Sequence, residues 1–205
     1  MIGSLPPLPA CRAAPPPRRA GTARSMKLVL QRVTEASVTV DDEVVGRIGP
    51  GLLCLVGIAA DDDPAAMEWA VRRILGIRLW EEAGKAWSKS VGALGLEVLL
   101  VSQFTLYCAL KGHKPDFHHA MPPAAARDYW GSFVRAMSAA HPGKVEQGKF
   151  GAHMIVSLVN DGPVTIELES PAAAPSAPPP APAKKAAPQV LLLLRATSDL
   201  SLIHI

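Results

Sequence analysis

The sequence predicts a mixed α/β domain over residues 26–170, and three observations carry that expectation. Two apolar runs, 52–58 and 96–101, show no alternation and so read as strands covered on both faces. Two longer segments, each opened by proline, repeat apolar residues at helical spacing. Segments 27–33, 37–40, 44–48, 154–159 and 164–168 have the length and β-branched content of further strands.

Each element has a local reason. Residues 27–33 and 37–40 read as strands, with Asp41-Asp42 as the tip of a hairpin that returns through 44–48. After the buried strand at 52–58, Asp63-Pro64 supplies an N-cap and a proline at the first helical position. The helix that follows places Met67, Val71, Ile74, Leu75 and Arg78 on one face. The strand at 96–101 delivers its carboxyl end to Ser102. Pro122-Pro123 starts a second helix with Ala126, Trp130, Phe133, Val134 and Met137 as its buried stripe. The strand at 154–159 ends at Asn160, and 164–168 closes the domain. Ligands of α/β sheets gather at strand ends, where loops vary freely.

Charge is distributed unevenly. The net charge of +3 arises outside the central domain, which holds 14 Lys+Arg against 17 Asp+Glu. Residues 1–25 have four arginines and no acid, and the tail from 171 has three basic residues and one acid. The pI of 8.9 therefore argues only for a local RNA-binding patch. The Arg- and Pro-rich leader, 1–25, resembles an organelle transit peptide, plastid rather than mitochondrial because its prolines oppose an amphipathic helix. The other reading is a disordered leader, or a start at Met26. The Pro/Ala-rich tail, 171–205, reads as disordered. Three cysteines without CxxC spacing point to a reducing, cytoplasmic compartment if the leader is not a targeting signal. No apolar stretch approaches the roughly 20 residues of a membrane span, and no membrane partner is expected.

Standard catalytic constellations are missing from the sequence: no G-x-S-x-G elbow, H-E-x-x-H, P-loop or G-x-G-x-x-G. His113, His118 and His119 cluster, but without the spacing or the Cys and carboxylate support of a zinc site, so neither metal nor cofactor is expected. Two motifs remain. Ser102-Gln103-Phe104-Thr105 is rich in hydroxyl and amide groups at a strand end; it caps backbone, or its N–H groups form an oxyanion hole. Thr105 has no partnered base and would be a poor nucleophile. Asn160-Asp161-Gly162-Pro163-Val164-Thr165 is a tight turn between strands, or, if the Gly-Pro bond is cis, a rigid pair of carbonyl acceptors.

Taken together, residues 26–170 resemble the D-aminoacyl-tRNA deacylase family. The resemblance rests on Leu30-Gln31-Arg32-Val33, Gly49-Pro50-Gly51-Leu52-Leu53, Gly84-Lys85-Ala86-Trp87-Ser88-Lys89-Ser90 and Ser102-Gln103-Phe104-Thr105-Leu106, in that order. It continues in Lys111-Gly112-His113-Lys114-Pro115-Asp116-Phe117, Phe150-Gly151-Ala152 and Val159-Asn160-Asp161-Gly162-Pro163-Val164-Thr165. The Trp-Ser-Lys-Ser and Lys-Pro-Asp-Phe forms are similar to eukaryotic members. The resemblance implies compact, barrel-like β-sheets with two main helices packed outside, in a homodimer that hydrolyses the ester of D-aminoacyl-tRNA and of mischarged glycyl-tRNA.

The same resemblance implies roles. Phe104 and Thr105 would supply oxyanion-hole N–H groups beside Ser102, and Gln103 would line the pocket. Gly162-Pro163, within Asn160 to Thr165, would enter the partner's site, hold the α-ammonium of the D-substrate and exclude L side chains. Arg32 would brace that loop. Phe150, Ala152 and Met154 would receive the terminal adenine, and the ribose hydroxyl of the RNA would assist the reaction. Lys111, His113 and Lys114 would meet acceptor-stem phosphates, or form an ordinary solvated loop. Two rival activities are open to such a chain. A relative that edits L-alanyl-tRNA(Thr) is disfavoured by Ser102 and Phe104. A DNA-binding replication factor is disfavoured by a tail whose only basic residues are Lys184, Lys185 and Arg195.

Overall fold

The structure, a computed structural model, describes residues 25–171. The expected leader up to residue 24 and the tail from 172 onward lie outside the described residues. Ten strands and three helices follow in the order β1 (Lys27–Val40), β2 (Glu43–Ile48), β3 (Gly51–Gly57), α1 (Pro64–Gly76), β4 (Arg78–Glu82), β5 (Lys85–Ser90), α2 (Val91–Leu94), β6 (Glu97–Ser102), β7 (Ala109–Lys111), β8 (Lys114–Asp116), α3 (Pro123–Ala140), β9 (Val145–Gln147) and β10 (Ile155–Glu169). A 3-10 turn, Phe104–Tyr107, follows β6.

Six strands form one curved sheet in the order β10-β1-β3-β6-β9, with β2 also paired to β1. Strands β3, β6 and β9 run parallel, while β1 is antiparallel to β2, β3 and β10. The two unalternating runs predicted as doubly covered strands are β3 and β6, at the centre of this sheet. Their residues divide between two cores. Leu52, Cys54, Val56, Val98 and Leu100 face the helices, against Val71, Ile74, Trp130, Phe133 and Met137. Leu53, Leu99 and Val101 face the inside of the nearly closed barrel with Val33, Val38, Val40 and Ile48. A strand that fills two cores can spare no polar position. At the full burial of Cys54, its thiol pKa is driven far up, as expected for an inert packing residue.

The ends of the helices follow their sequence. Asp63 caps α1 by accepting from the Ala66 N–H at 2.9 Å, and Pro64 takes the first helical position. Arg78 does not share the buried face of α1 as expected. The helix stops at Gly76, Ile77 turns extended, and Arg78 opens β4 with its side chain exposed. Four residues of the α3 stripe are fully buried, and Val134 is half-buried beside them.

Three differences are instructive. The strands expected at 27–33 and 37–40 are one strand, because the intervening Thr34-Glu35 is absorbed by register shifts between Gln31 and Glu35. Those shifts change which residues point inward: Leu28 and Leu30 face the helices, whereas Ala36, Val38 and Val40 face the barrel. Likewise, 154–159 and 164–168 belong to the single strand β10, so Gly162-Pro163 does not join two strands by a tight turn. Finally, the hairpins β4-β5 and β7-β8 carry no clear alternation in the sequence and emerge only in the structure. The predicted turn at Asp41-Asp42 is present, with φ of 50° and 64°, the left-handed pair of a two-residue hairpin.

Candidate functional site

The carboxyl ends of the parallel strands β3 and β6 lie side by side, with Val56 opposite Ser102. Beyond Ser102 the chain steps across β3. The Gln103 N–H donates to the Val56 carbonyl at 2.8 Å, and the 3-10 turn then packs over Gly57. A Cβ on Gly57 would lie 3.0 Å from the Tyr107 ring and 3.3 Å from the Gln103 carbonyl, so a side chain there would lift the turn. The Tyr107 hydroxyl pins the turn from the far side, its one proton shared between Ser25 O at 2.8 Å and Gly57 O at 3.2 Å.

This turn forms one wall of a cleft of about 540 Å³. Val56 and Ile58 form its floor side, with Ser102, Gln103 and Phe104 beside them. The rest of the lining comes from Phe117, the segment into α3 at Met121, Pro122 and Pro123, and from Phe150 and Gly151 after β9. Met121 N–H donates to Ile58 O at 2.9 Å and Ala60 N–H to His119 O at 3.2 Å, which fastens that segment to the end of β3. Phe104 is 57% exposed and meets Phe117 edge-on at 5.1 Å between centroids.

The chemistry available in the cleft is narrow. No histidine, carboxylate or lysine is among its lining residues. The Gln103 amide donates to the Thr105 hydroxyl, which has no histidine or carboxylate partner among the described residues to raise its nucleophilicity. Phe104 and Thr105 open the 3-10 turn, so their N–H groups have no acceptor within it. Backbone donors without a partner in the turn thus lie on the segment that walls an apolar cleft.

Gly162 and Pro163 lie elsewhere. They sit in the middle of β10, at the edge of the sheet, joined by a cis peptide bond and exposed. Gln31 pairs with Thr165 and Val33 with Asn160, so Arg32 alone faces Asp161 to Val164. Proline cannot donate to a ladder, and a bulge on an edge strand is where a sheet tolerates it. Arg32 fills the gap. Its Nε donates to Asp161 O at 3.2 Å and lies 3.0 Å from Asp161 Oδ2, while its guanidinium also donates to Leu79 O on β4. Gly162 has φ of 122°, and a Cβ there would approach Val164 Cγ2 to 2.9 Å.

The structure thus brings Ser102, Gln103, Phe104 and Phe150 to one cleft, with Thr105 on the same turn, and brings Arg32, Asn160, Gly162, Pro163 and Thr165 to a second place. Ala152 and Met154 are not at the cleft. Both pack on the barrel core with Val156 and Leu158. Lys111, His113 and Lys114 are exposed on the β7-β8 hairpin, where Lys111 is paired with Asp116. Asp116 also accepts from His118, and these partners hold its carboxyl far below the usual range, Lys111 first. Phe117, Met121 and Arg127 are cleft residues that the sequence did not single out as such. Pro122-Pro123 signalled only a helix start, and spacing offered no hint that this start faces Phe104.

Comparison with known proteins places the chain in a family. Residues 29–169 match the family model described as D-Tyr-tRNA(Tyr) deacylase. The chain is 54% identical over 149 residues to mouse D-aminoacyl-tRNA deacylase 1, covering 72% of this chain and 71% of the mouse protein. It is 54% identical over 147 residues to Drosophila melanogaster D-aminoacyl-tRNA deacylase, covering 71% and 93%. Among solved structures, the c-Myc DNA Unwinding Element Binding Protein matches with TM-score 0.68 and 52% identity, over 71% of this chain and 99% of that one. A probable eukaryotic D-amino acid tRNA deacylase matches with TM-score 0.65 at 17% identity, over 71% and 100%, and shows the same fold. By family model, sequence identity and fold, the chain belongs to the D-Tyr-tRNA(Tyr) deacylase family.

Proposed function

We propose that this family member hydrolyses the ester of D-aminoacyl-tRNA in the cleft beside Phe104, as a homodimer in which each cleft is completed by Gly162-Pro163 of the partner subunit. One observation carries the second half of this reading: Gly162 and Pro163 are exposed, rigidly braced by Arg32, and absent from the walls of their own chain's cleft. A braced, exposed pair of carbonyls is suited to reach into another surface.

In this reading the ester carbonyl lies against the N–H groups of Phe104 and Thr105, which stabilise the negative charge that develops as water adds. Gln103 lines the pocket, and Ser102 marks the strand end that aims the turn. The partner's carbonyls accept hydrogen bonds from the α-ammonium and leave no room for an L side chain, so chirality is read by rejection. Phe150 offers its ring to the terminal adenine. Ala152 and Met154 support the adjoining wall from the barrel core. The cleft has no side-chain base, which is consistent with the vicinal ribose hydroxyl of the substrate relaying the proton from water to the departing ribose oxygen. Glycyl-tRNA, having no side chain to reject, is a second substrate, and Lys114 and His113 face the acceptor stem.

The test is hydrolysis of D-Tyr-tRNA, L-Tyr-tRNA and L-Ala-tRNA(Thr) by the purified chain. Cleavage of the first with the other two spared is expected; equal cleavage of D- and L-Tyr-tRNA contradicts the reading. A second reading, duplex-DNA binding, takes its support from the 52% identity to the c-Myc DNA Unwinding Element Binding Protein. Tight, tail-dependent retention of duplex DNA in a mobility shift at physiological salt would favour it.

A further inference from the structure

We propose that Arg127 binds the phosphodiester that precedes the terminal nucleoside of the tRNA substrate. The inference rests on the reading of the cleft as the seat of the aminoacylated RNA end. Arg127 is the one charged residue among those lining the cleft, whose other walls are largely Phe, Pro, Met, Val, Ile and Ala. Arg127 is itself exposed at the rim of the cleft, so its guanidinium is accessible to a ligand that enters there. Its guanidinium carbon lies over the Phe150 ring, 5.2 Å from the centroid. No carboxylate among the described residues forms an ion pair with it. A guanidinium without a carboxylate partner has donors to offer a phosphate.

The chemistry of the substrate decides which part of it Arg127 meets. The aminoacyl end carries an α-ammonium, which a guanidinium repels, so that end lies toward Phe104 and away from Arg127. The ester and the terminal nucleoside are uncharged. The nearest anion is the phosphate on the 5′ side of that nucleoside. With its base against Phe150, this phosphate lies at the rim where α3 and Phe150 meet, and there Arg127 sits. Arg127 is thus a binding residue for the RNA end and takes no part in the chemical step.

The experiment compares the full wild-type chain with Arg127→Ala and Arg127→Lys on three substrates: D-Tyr-tRNA, the D-tyrosyl ester of 5′-AMP and the D-tyrosyl ester of adenosine. For Arg127→Ala the expected result is a KM about tenfold higher on the two phosphate-bearing substrates with kcat nearly unchanged. On the adenosine ester no change is expected, and the lysine variant should recover part of the loss. The dependence of log KM on log salt for tRNA should also flatten by about 0.7, the contribution of one single-strand phosphate. An equal effect on the esters of adenosine and 5′-AMP would overturn the proposal, since it would mean that Arg127 acts through Phe150. No effect on tRNA would overturn it as well. A wild-type chain inactive on all three substrates would overturn the reading of the cleft, and this proposal with it.

Discussion

The turn at Phe104–Tyr107 and the bulge at Gly162-Pro163 look alike in sequence, each a short break after an apolar strand, yet the fold treats them oppositely. The first is folded onto its own chain, anchored to β3 through Gln103, Gly57 and Tyr107, and looks into a cleft. The second is lifted off an edge strand, braced from behind by Arg32, and looks outward. The difference lies in what surrounds each motif. At β6 the neighbouring strand ends at the same level and leaves space beyond it. At β10 the partner strand β1 continues past Arg32, so the chain can only bulge.

Substitutions that act on one region and spare the other sharpen this contrast. The largest effect is expected for Phe104→Pro, which deletes an N–H at the first position of the 3-10 turn, where proline is tolerated. It should lower kcat for D-Tyr-tRNA by about 10²–10³-fold, the usual cost of one oxyanion donor. Phe104→Ala keeps the N–H and should lose less than about tenfold; equal losses would shift the role from the backbone to the ring. Next is Gly162→Ala, which places a methyl against Val164 at a φ that side chains rarely adopt. Displacement of the neighbouring carbonyls should cut kcat/KM for D-Tyr-tRNA by roughly 10–100-fold, an effect read best alongside a gain in L-Tyr-tRNA cleavage. Arg32→Lys replaces a planar fork that reaches Asp161 and Leu79 with a single point donor. A loss of about tenfold in activity with little change in melting temperature is expected. Unchanged activity would show that the bulge holds its shape unaided.

The last effect concerns stability and leaves both regions untouched. Burial at the loop after β3 pushes the Asp62 pKa up to about 7, with Asp61 and Asp63 adding to the rise against the opposing Ala59 N–H bond. A carboxyl that is harder to ionise when folded favours the folded state at low pH. Stability from this group is therefore full below the unfolded value near 4, declines as pH rises toward about 7, and levels off above. Asp62→Asn should remove that decline, worth at most about 4 kcal/mol for a shift of this size. Melting temperatures at pH 5 and pH 8 for both proteins measure it; a decline of equal size in the variant would assign it to other groups.

Much of the fold was legible because period and burial coincide. The unbroken runs of β3 and β6 announced strands between two cores, and Asp63-Pro64 and Pro122-Pro123 announced the helices. Boundaries failed where tertiary pairing overrides local signals. Arg78 continues the helical spacing but follows Gly76, and Thr34-Glu35 breaks the apolar pattern of β1 without breaking the strand. For the site, Ser102 to Thr105 stood out by residue type, and the Gly-Pro motif by its resemblance to the family. The remainder of the cleft wall was hidden, because Phe117, Met121 and Arg127 carry no pattern in sequence and become neighbours of Phe104 only through the bonds from Ala60 and Met121 across to the end of β3.

That the two regions complete one site only across two subunits is tested most directly by complementation. Phe104→Pro and Gly162→Ala chains, each deficient alone, are unfolded together, refolded as a mixture and assayed on D-Tyr-tRNA. If each cleft takes its Gly162-Pro163 from the other subunit, half of the dimers are mixed and each holds one intact site, so activity should return to about one quarter of wild type. Activity no higher than the mean of the two separate variants, in a sample proven to contain mixed dimers, would contradict the account.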